Sequence, residues 1–317
     1  MDLPDDATDT NTAAARADQG DRLRKQHRPA DAEAAYRAAI ALDPQLPRAH
    51  AGLGLVLRDT RQYAEAEEAC REAIRLEPGY APGHSTLGAV LRDTKRYDEA
   101  EAACREAIRL DPDLAAAHNN LGAVLCRTKR YAEAEASCRE AIRLDPDLAA
   151  AHAHLGVVLC GTKRYAEAET SFREAIRLDP ALAQVHANLG VVLRNIWLRS
   201  APAEADALAE AEFREAIRLD PALPAAHAGL GMVLRGSRRY AEAEASCREA
   251  IRLDPAYAPA YRILAAVLAD TKRYAEAKDA SAKAGGPDPA RADLETYLRA
   301  RRSSWLKSLR ITRRPHT

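Results

Sequence analysis

Apolar positions along this chain recur as paired helical stripes. Between residues 81 and 114, His84, Leu87, Gly88 and Leu91 fall three or four places apart. Tyr97, Ala100, Cys104, Ala107 and Ile108 do the same after a short polar break, Asp93-Thr94-Lys95-Arg96. Residues at those spacings share one side of a 3.6-residue turn, so the segment predicts two amphipathic helices joined by a tight connection. Asp111-Pro112 closes the pair, because proline cannot continue a helix and holds the residue before it extended.

The pair returns along most of the chain. Glu-Ala-Ile-Arg-Leu-Asp-Pro begins at Glu106, Glu140, Glu174, Glu215 and Glu249, and at Glu72 with Glu77 in the Asp place. The steps are 34 residues, except for one of 41 between Glu174 and Glu215. A period of this length marks a stacked-repeat architecture: one helix pair cannot bury both stripes, and neighbours stacked upon it complete a continuous core. With each Pro at the thirty-second place, the units are 13–46, 47–80, 81–114, 115–148, 149–182, 183–223, 224–257 and 258–291. Residues 1–12, with four Asp and no base, read as a disordered acidic arm. Residues 292–309 are expected to form a capping helix with Leu294, Tyr297, Leu298, Trp305 and Leu309 on its apolar face, followed by a basic tail, 310–317.

Composition narrows the function classes. Aromatics are only 5% of a chain that is 47% hydrophobic, which excludes an aromatic-rich sandwich or barrel. The 47 basic residues match 47 acidic ones, so bulk charge gives no reason to expect a nucleic-acid or membrane partner. The longest apolar runs fall short of a membrane span and Met1-Asp2-Leu3-Pro4 does not resemble a leader, so a cytoplasmic location is expected. Cys70, Cys104, Cys126, Cys138, Cys160 and Cys247 are then expected to be reduced, small buried hydrophobes.

Leu121-Gly122, Leu125, Ala134, Ala141 and Pro146, with their equivalents in the other units, resemble the tetratricopeptide consensus. That resemblance implies an all-α, right-handed α-solenoid of about eight helix-turn-helix repeats, whose first helices line a concave groove that binds proteins or peptides without catalysis. The first unit departs most from the pattern, at Gln19, Pro29 and Tyr36. The family's glycine between the two helices is also replaced, by Arg61, Lys95, Lys129, Lys163 and Lys272. The first helix is therefore expected to end differently, through a nearby glycine such as Gly161 or Gly236.

Several features that resemble chemistry have simpler explanations. His50, His84, His118, His152, His186 and His227 share one repeat position, and equivalent side chains on stacked helices stand too far apart to hold one metal, so packing is the expectation. Gly52-Leu53-Gly54 follows a helix start and lacks a third glycine, unlike a dinucleotide loop. Glu67 with Arg71, and the matching pairs in later units, read as a solvated outer wall. No metal or cofactor is expected.

Binding is expected on a second stripe of the first helices, at places 2, 5, 9 and 12. Its ninth places include Val157 and Val191, and its rim carries Arg58, Arg92, Arg127, Arg194 and Arg235. Guanidinium forks over a small apolar floor suit an acidic segment with small apolar side chains. Asn119, Asn120 and Asn188 add amides able to hold a ligand backbone. A similar asparagine ladder is known in O-linked N-acetylglucosamine transferases; here it is interrupted at Gly52, Thr86, His154 and Gly229. The seven-residue insert of the sixth unit is expected to lengthen both helices, with Trp197 either covered by Leu208 or exposed as a binding anchor. The competing readings are a relative or partner subunit of such a glycosyltransferase without its catalytic domain, and a structural protein that self-assembles end to end.

Overall fold

The computed structural model describes residues 12–197 and 201–285. Among them every regular element is a helix, sixteen in all, and consecutive helices pair. The chain divides into two compact units, one ending at Leu178 and one beginning at Asp179. The first holds five pairs: α1 (Ala13–Lys25) with α2 (Pro29–Leu42), α3 (Pro47–Asp59) with α4 (Tyr63–Leu76), α5 (Ala81–Asp93) with α6 (Tyr97–Leu110), α7 (Ala115–Arg127) with α8 (Tyr131–Leu144), and α9 (Ala149–Gly161) with α10 (Tyr165–Leu178). The second holds α11 (Ala183–Trp197) with α12 (Pro202–Leu219), α13 (Pro224–Gly236) with α14 (Tyr240–Leu253), and α15 (Ala258–Asp270) with α16 (Tyr274–Lys283). The insert adds two residues to the first helix of its pair and four to the second, relative to the 13 and 14 of other pairs.

Within each unit the first helices touch one another in series, as α3 does α5 and α5 does α7, whereas the second helices meet only first helices. The first-helix layer is therefore the tighter, inner layer, and the second helices splay outside it. The acidic arm lies outside the described residues apart from Thr12, whose hydroxyl caps α1 by accepting from Ala15 N at 3.1 Å. The capping helix and basic tail also fall outside the described residues.

The ends of six pairs follow from an Asp-Pro dipeptide. Asp111 and Asp145 are extended (φ near −140°), as a residue before proline must be, and each carboxylate accepts from the backbone N–H two residues on at 3.1 Å. The turn inside six of the pairs corrects the sequence expectation. Arg61, Lys95, Lys129, Lys163, Arg238 and Lys272 themselves adopt the left-handed conformation, with φ between 61° and 65°. The N–H after each reaches back five residues, as Arg96 N does to Leu91 O at 2.9 Å. This is the closure a glycine gives, formed by cationic residues at a cost of about 1 kcal/mol each. Gly161 and Gly236 are simply the last helical residues of α9 and α13.

Small residues set the helix crossings. A Cβ on Gly88 would meet Cys104 Sγ and come within 3.1 Å of the Ala100 carbonyl, and Gly54, Gly122 and Gly231 stand in the same relation to Cys70, Cys138 and Cys247. The twenty-fourth place also governs the sixth place of the next repeat. At Tyr36 and Phe213 the place is aromatic and the next helix carries Gly52 or Gly229, whose missing Cβ leaves space for the ring; Phe172, followed by Asn188 at that place, departs from this. Where it is Cys, that place holds Thr86, Asn120, His154 or Ile263. Tyr36 is fully buried and donates to Asp21, so the divergent first repeat docks through its own aromatic.

The outer wall is less solvated than its i,i+4 pairing implies. Glu101 bonds Arg105 of its own helix at 2.6 Å, and also receives Arg130 from the next repeat at 2.6 Å. Its side chain is only 12% exposed. Arg96 to Glu67 and Arg164 to Glu135 repeat this link, so the outer charges tie successive pairs together. The histidines serve the same end: Nε2 of His50, His84, His118, His152 and His227 lies 2.8–3.0 Å from the carbonyl of the proline six residues earlier, fixing each first helix to the loop before it.

Candidate functional site

In the first unit the inner layer carries two polar rungs. Asn120 Nδ2 on α7 donates to Ser85 O at 3.1 Å and to Ser85 Oγ at 3.0 Å on α5. Asn119 Oδ1 accepts from His154 Nδ1 of α9 at 2.7 Å. Each rung joins the fifth place of one repeat to the sixth place of the next, and the sixth place has room for a polar side chain because Cys104 and Cys138 precede it. Burial above all, and then the charges of Arg92 and Arg58, push the His154 pKa down to about 3. The neutral ring donates through Nδ1, which leaves Nε2 as an acceptor. Asn119 Nδ2 and Asn120 Oδ1 have no hydrogen bond among the described residues. The two asparagines thus spend half of each amide on holding repeats together and keep one donor and one acceptor.

Around these rungs, Ala89 and Ala123 form a buried floor, Leu55 is half-buried and Val157 is 37% exposed. The rim is a charged lattice. Arg58 bonds Asp59 at 2.6 Å and has Asp93 Oδ2 at 3.8 Å, while Arg92 holds Asp93 at 2.7 Å. Arg127 is different: its place carries Asp in the two preceding repeats, and it forms no ion pair among the described residues.

The remaining candidates lie in the second unit. Val191 is 42% exposed, and Asn188 accepts from Gln184 Nε2 at 3.1 Å. Arg235 is paired with Asp270 at 2.7 Å. Arg194 bonds the buried Asp206 at 2.9 Å, a partner that sequence reasoning missed. The signal was present: an acid early in the lengthened α12 packs where Gly236 of the next repeat has no Cβ. Trp197 ends α11, but its side chain lies outside the described residues. Leu208, expected to cover it, is itself 47% exposed.

Family models described as tetratricopeptide repeat match residues 113–181, 17–81 and 224–257, and one described as TPR repeat matches 88–129. The chain carries tetratricopeptide repeats. Solved structures agree on the fold. The APC/C hetero-tetramer Cut9-Hcn1 is similar with a TM-score of 0.77 at 16% identity over 88% of this chain, which spans 54%, about half, of that one. A thermophilic tetratricopeptide repeat protein of Thermus thermophilus has a TM-score of 0.51 at 21% identity over 57% of this chain and 99% of its own. A tetratricopeptide repeat protein of Parabacteroides merdae has 0.54 at 12% identity, over 81% and 98%. No curated protein matches the chain. Tetratricopeptide repeats commonly mediate protein–protein interaction, and proteins built from them are generally non-catalytic scaffolds. No helix among the described residues is long and apolar enough to cross a membrane.

Proposed function

We propose that this protein is a non-enzymatic scaffold whose tetratricopeptide repeats bind an extended protein segment on the inner face of the first unit. The observation that carries the reading is the pair of half-used amides on α7. Asn119 Nδ2 and Asn120 Oδ1, on consecutive residues of α7, leave a donor and an acceptor unused, the two kinds of group a peptide unit needs, and Val157 on α9 is exposed. A small apolar side chain of the ligand fits over the Ala89 and Ala123 floor, and Arg58 and Arg92 favour acidic neighbours. The expected contacts are Arg58, Arg92, Asn119, Asn120, Arg127 and Val157; Asn188, Val191, Arg194 and Arg235 would serve the second unit in the same way, with Arg194 weakened as a contact by Asp206. No observation favours the glycosyltransferase-relative reading or end-to-end assembly.

The test compares retention of a degenerate peptide library by the whole protein and by a variant carrying Val157→Glu and Arg58→Gln. Both positions reach solvent, so the helical circular dichroism should be unchanged. The reading expects the library to be retained by the parent and lost by about tenfold or more in the variant, roughly 1.4 kcal/mol. Equal retention by the two proteins overturns it.

A further inference from the structure

In the first unit, the turn of the third repeat opens a cleft of about 260 Å³ between successive pairs, lined by Tyr63, Arg92, Asp93, Lys95, Tyr97 and Arg127. Three cations face one carboxylate there. Asp93 is engaged by Arg92 through two nitrogens, Nε at 2.8 Å and Nη2 at 2.7 Å, whereas Lys95 and Arg127 form no ion pair among the described residues. Both are exposed, and the half-buried Tyr63 and Tyr97 line the same cleft. In the two preceding repeats an acid occupies the place of Arg127: Asp59 pairs with Arg58 and Asp93 with Arg92. Arg127 ends that local self-neutralisation beside an open cleft. Lys95 is held at φ 65°, the left-handed turn conformation that Arg61, Lys129, Lys163, Arg238 and Lys272 share.

We propose that this cleft binds a phosphorylated side chain of the peptide that lies on the inner face. The surplus of two positive charges matches a phosphomonoester, which carries about −1.5 to −2 at neutral pH. The Arg127 fork takes two of its oxygens, Lys95 supplies a mobile point charge, and the tyrosine hydroxyls donate to the third. A carboxylate would leave one of the two unpaired cations unmatched. The proposal rests on the peptide-binding reading and adds the chemistry of one subsite to it.

The experiment offers the whole protein two degenerate peptide libraries that differ only in a fixed central phosphoserine or serine. A glutamate library and inorganic phosphate serve as further probes. The test variant carries Lys95→Gly, which relieves the left-handed turn, and Arg127→Asp, which restores the residue type of the two preceding repeats; both should therefore fold. The expected result is that the parent prefers phosphoserine over serine by about tenfold or more and that the variant retains the two libraries equally. The proposal is overturned if the parent does not discriminate, if the variant keeps the preference, or if glutamate or inorganic phosphate binds as tightly as the phosphopeptides. A parent that retains the serine library but shows no phosphoserine preference fails this subsite alone, whereas equal retention of the serine library by the parent and by the Val157→Glu and Arg58→Gln variant fails the inner-face reading.

Discussion

At the scale of single residues, the repeat turns one chemical choice into a series. A thiol at the twenty-fourth place is small enough for Gly54, Gly88, Gly122 or Gly231 to approach it, and burial pushes the Cys70, Cys104, Cys138 and Cys247 thiols up to about 12. Cys126 and Cys160 occupy a first-helix place and are only half-buried. Alkylation with iodoacetamide at pH 8, followed by mass spectrometry, is therefore expected to modify Cys126 and Cys160 in the native protein and all six cysteines in denaturant. Native modification of Cys104 or Cys138 at a comparable rate would contradict the packing described. The sequence showed both shared positions but not which of them solvent reaches, because reading that requires the inner face of one helix to be distinguished from its crossing with the next.

Between elements, the fit of one second helix to the following first helix is decided by two side chains. Tyr36 stands against Gly52, while Cys70 precedes Thr86 at the same pair of places. Gly52→Thr should overpack the ring and lower unfolding stability by about 1–3 kcal/mol. Tyr36→Cys should lose about 3–5 kcal/mol through the cavity it leaves. The double variant recreates the combination of the next repeat, so urea denaturation should find it more stable than the sum of the two losses by about 1 kcal/mol or more. Strict additivity would show that the two sites do not meet. The helices, their order and their stops at Asp-Pro were legible in the apolar period and the 34-residue spacing. The turn was not: absence of glycine implied a different helix end, yet Lys95 and its equivalents adopt the left-handed conformation themselves, because the hydrogen bond from the following N–H and the packed second helix outweigh about 1 kcal/mol of strain.

Across the molecule, the contacts that matter for binding are those the repeats share. Sequence reasoning placed Asn119 and Asn120 on the inner stripe, but their partners lie 35 residues away, at His154 and Ser85, and only the stacking brings them together. It likewise read the outer glutamates as solvated, whereas Arg96, Arg130 and Arg164 reach back 29 residues to hold them. Partners one repeat apart are invisible to a helix-local pattern, and so is Asp206, which meets Arg194 across the helix pair of a single repeat. What emerges for the first unit is an outer wall consumed by structural ion pairs and an inner layer with unspent amides, an exposed valine and an unpaired arginine.

The central claim, that ligand lies on the inner layer, is tested most directly by placing a photo-crosslinking amino acid at Val157 and, in a second protein, at Glu133 on α8, and irradiating each with the degenerate peptide library. The account predicts efficient crosslinking at position 157 and background at 133. Equal yields at the two positions, or crosslinking confined to 133, would contradict it.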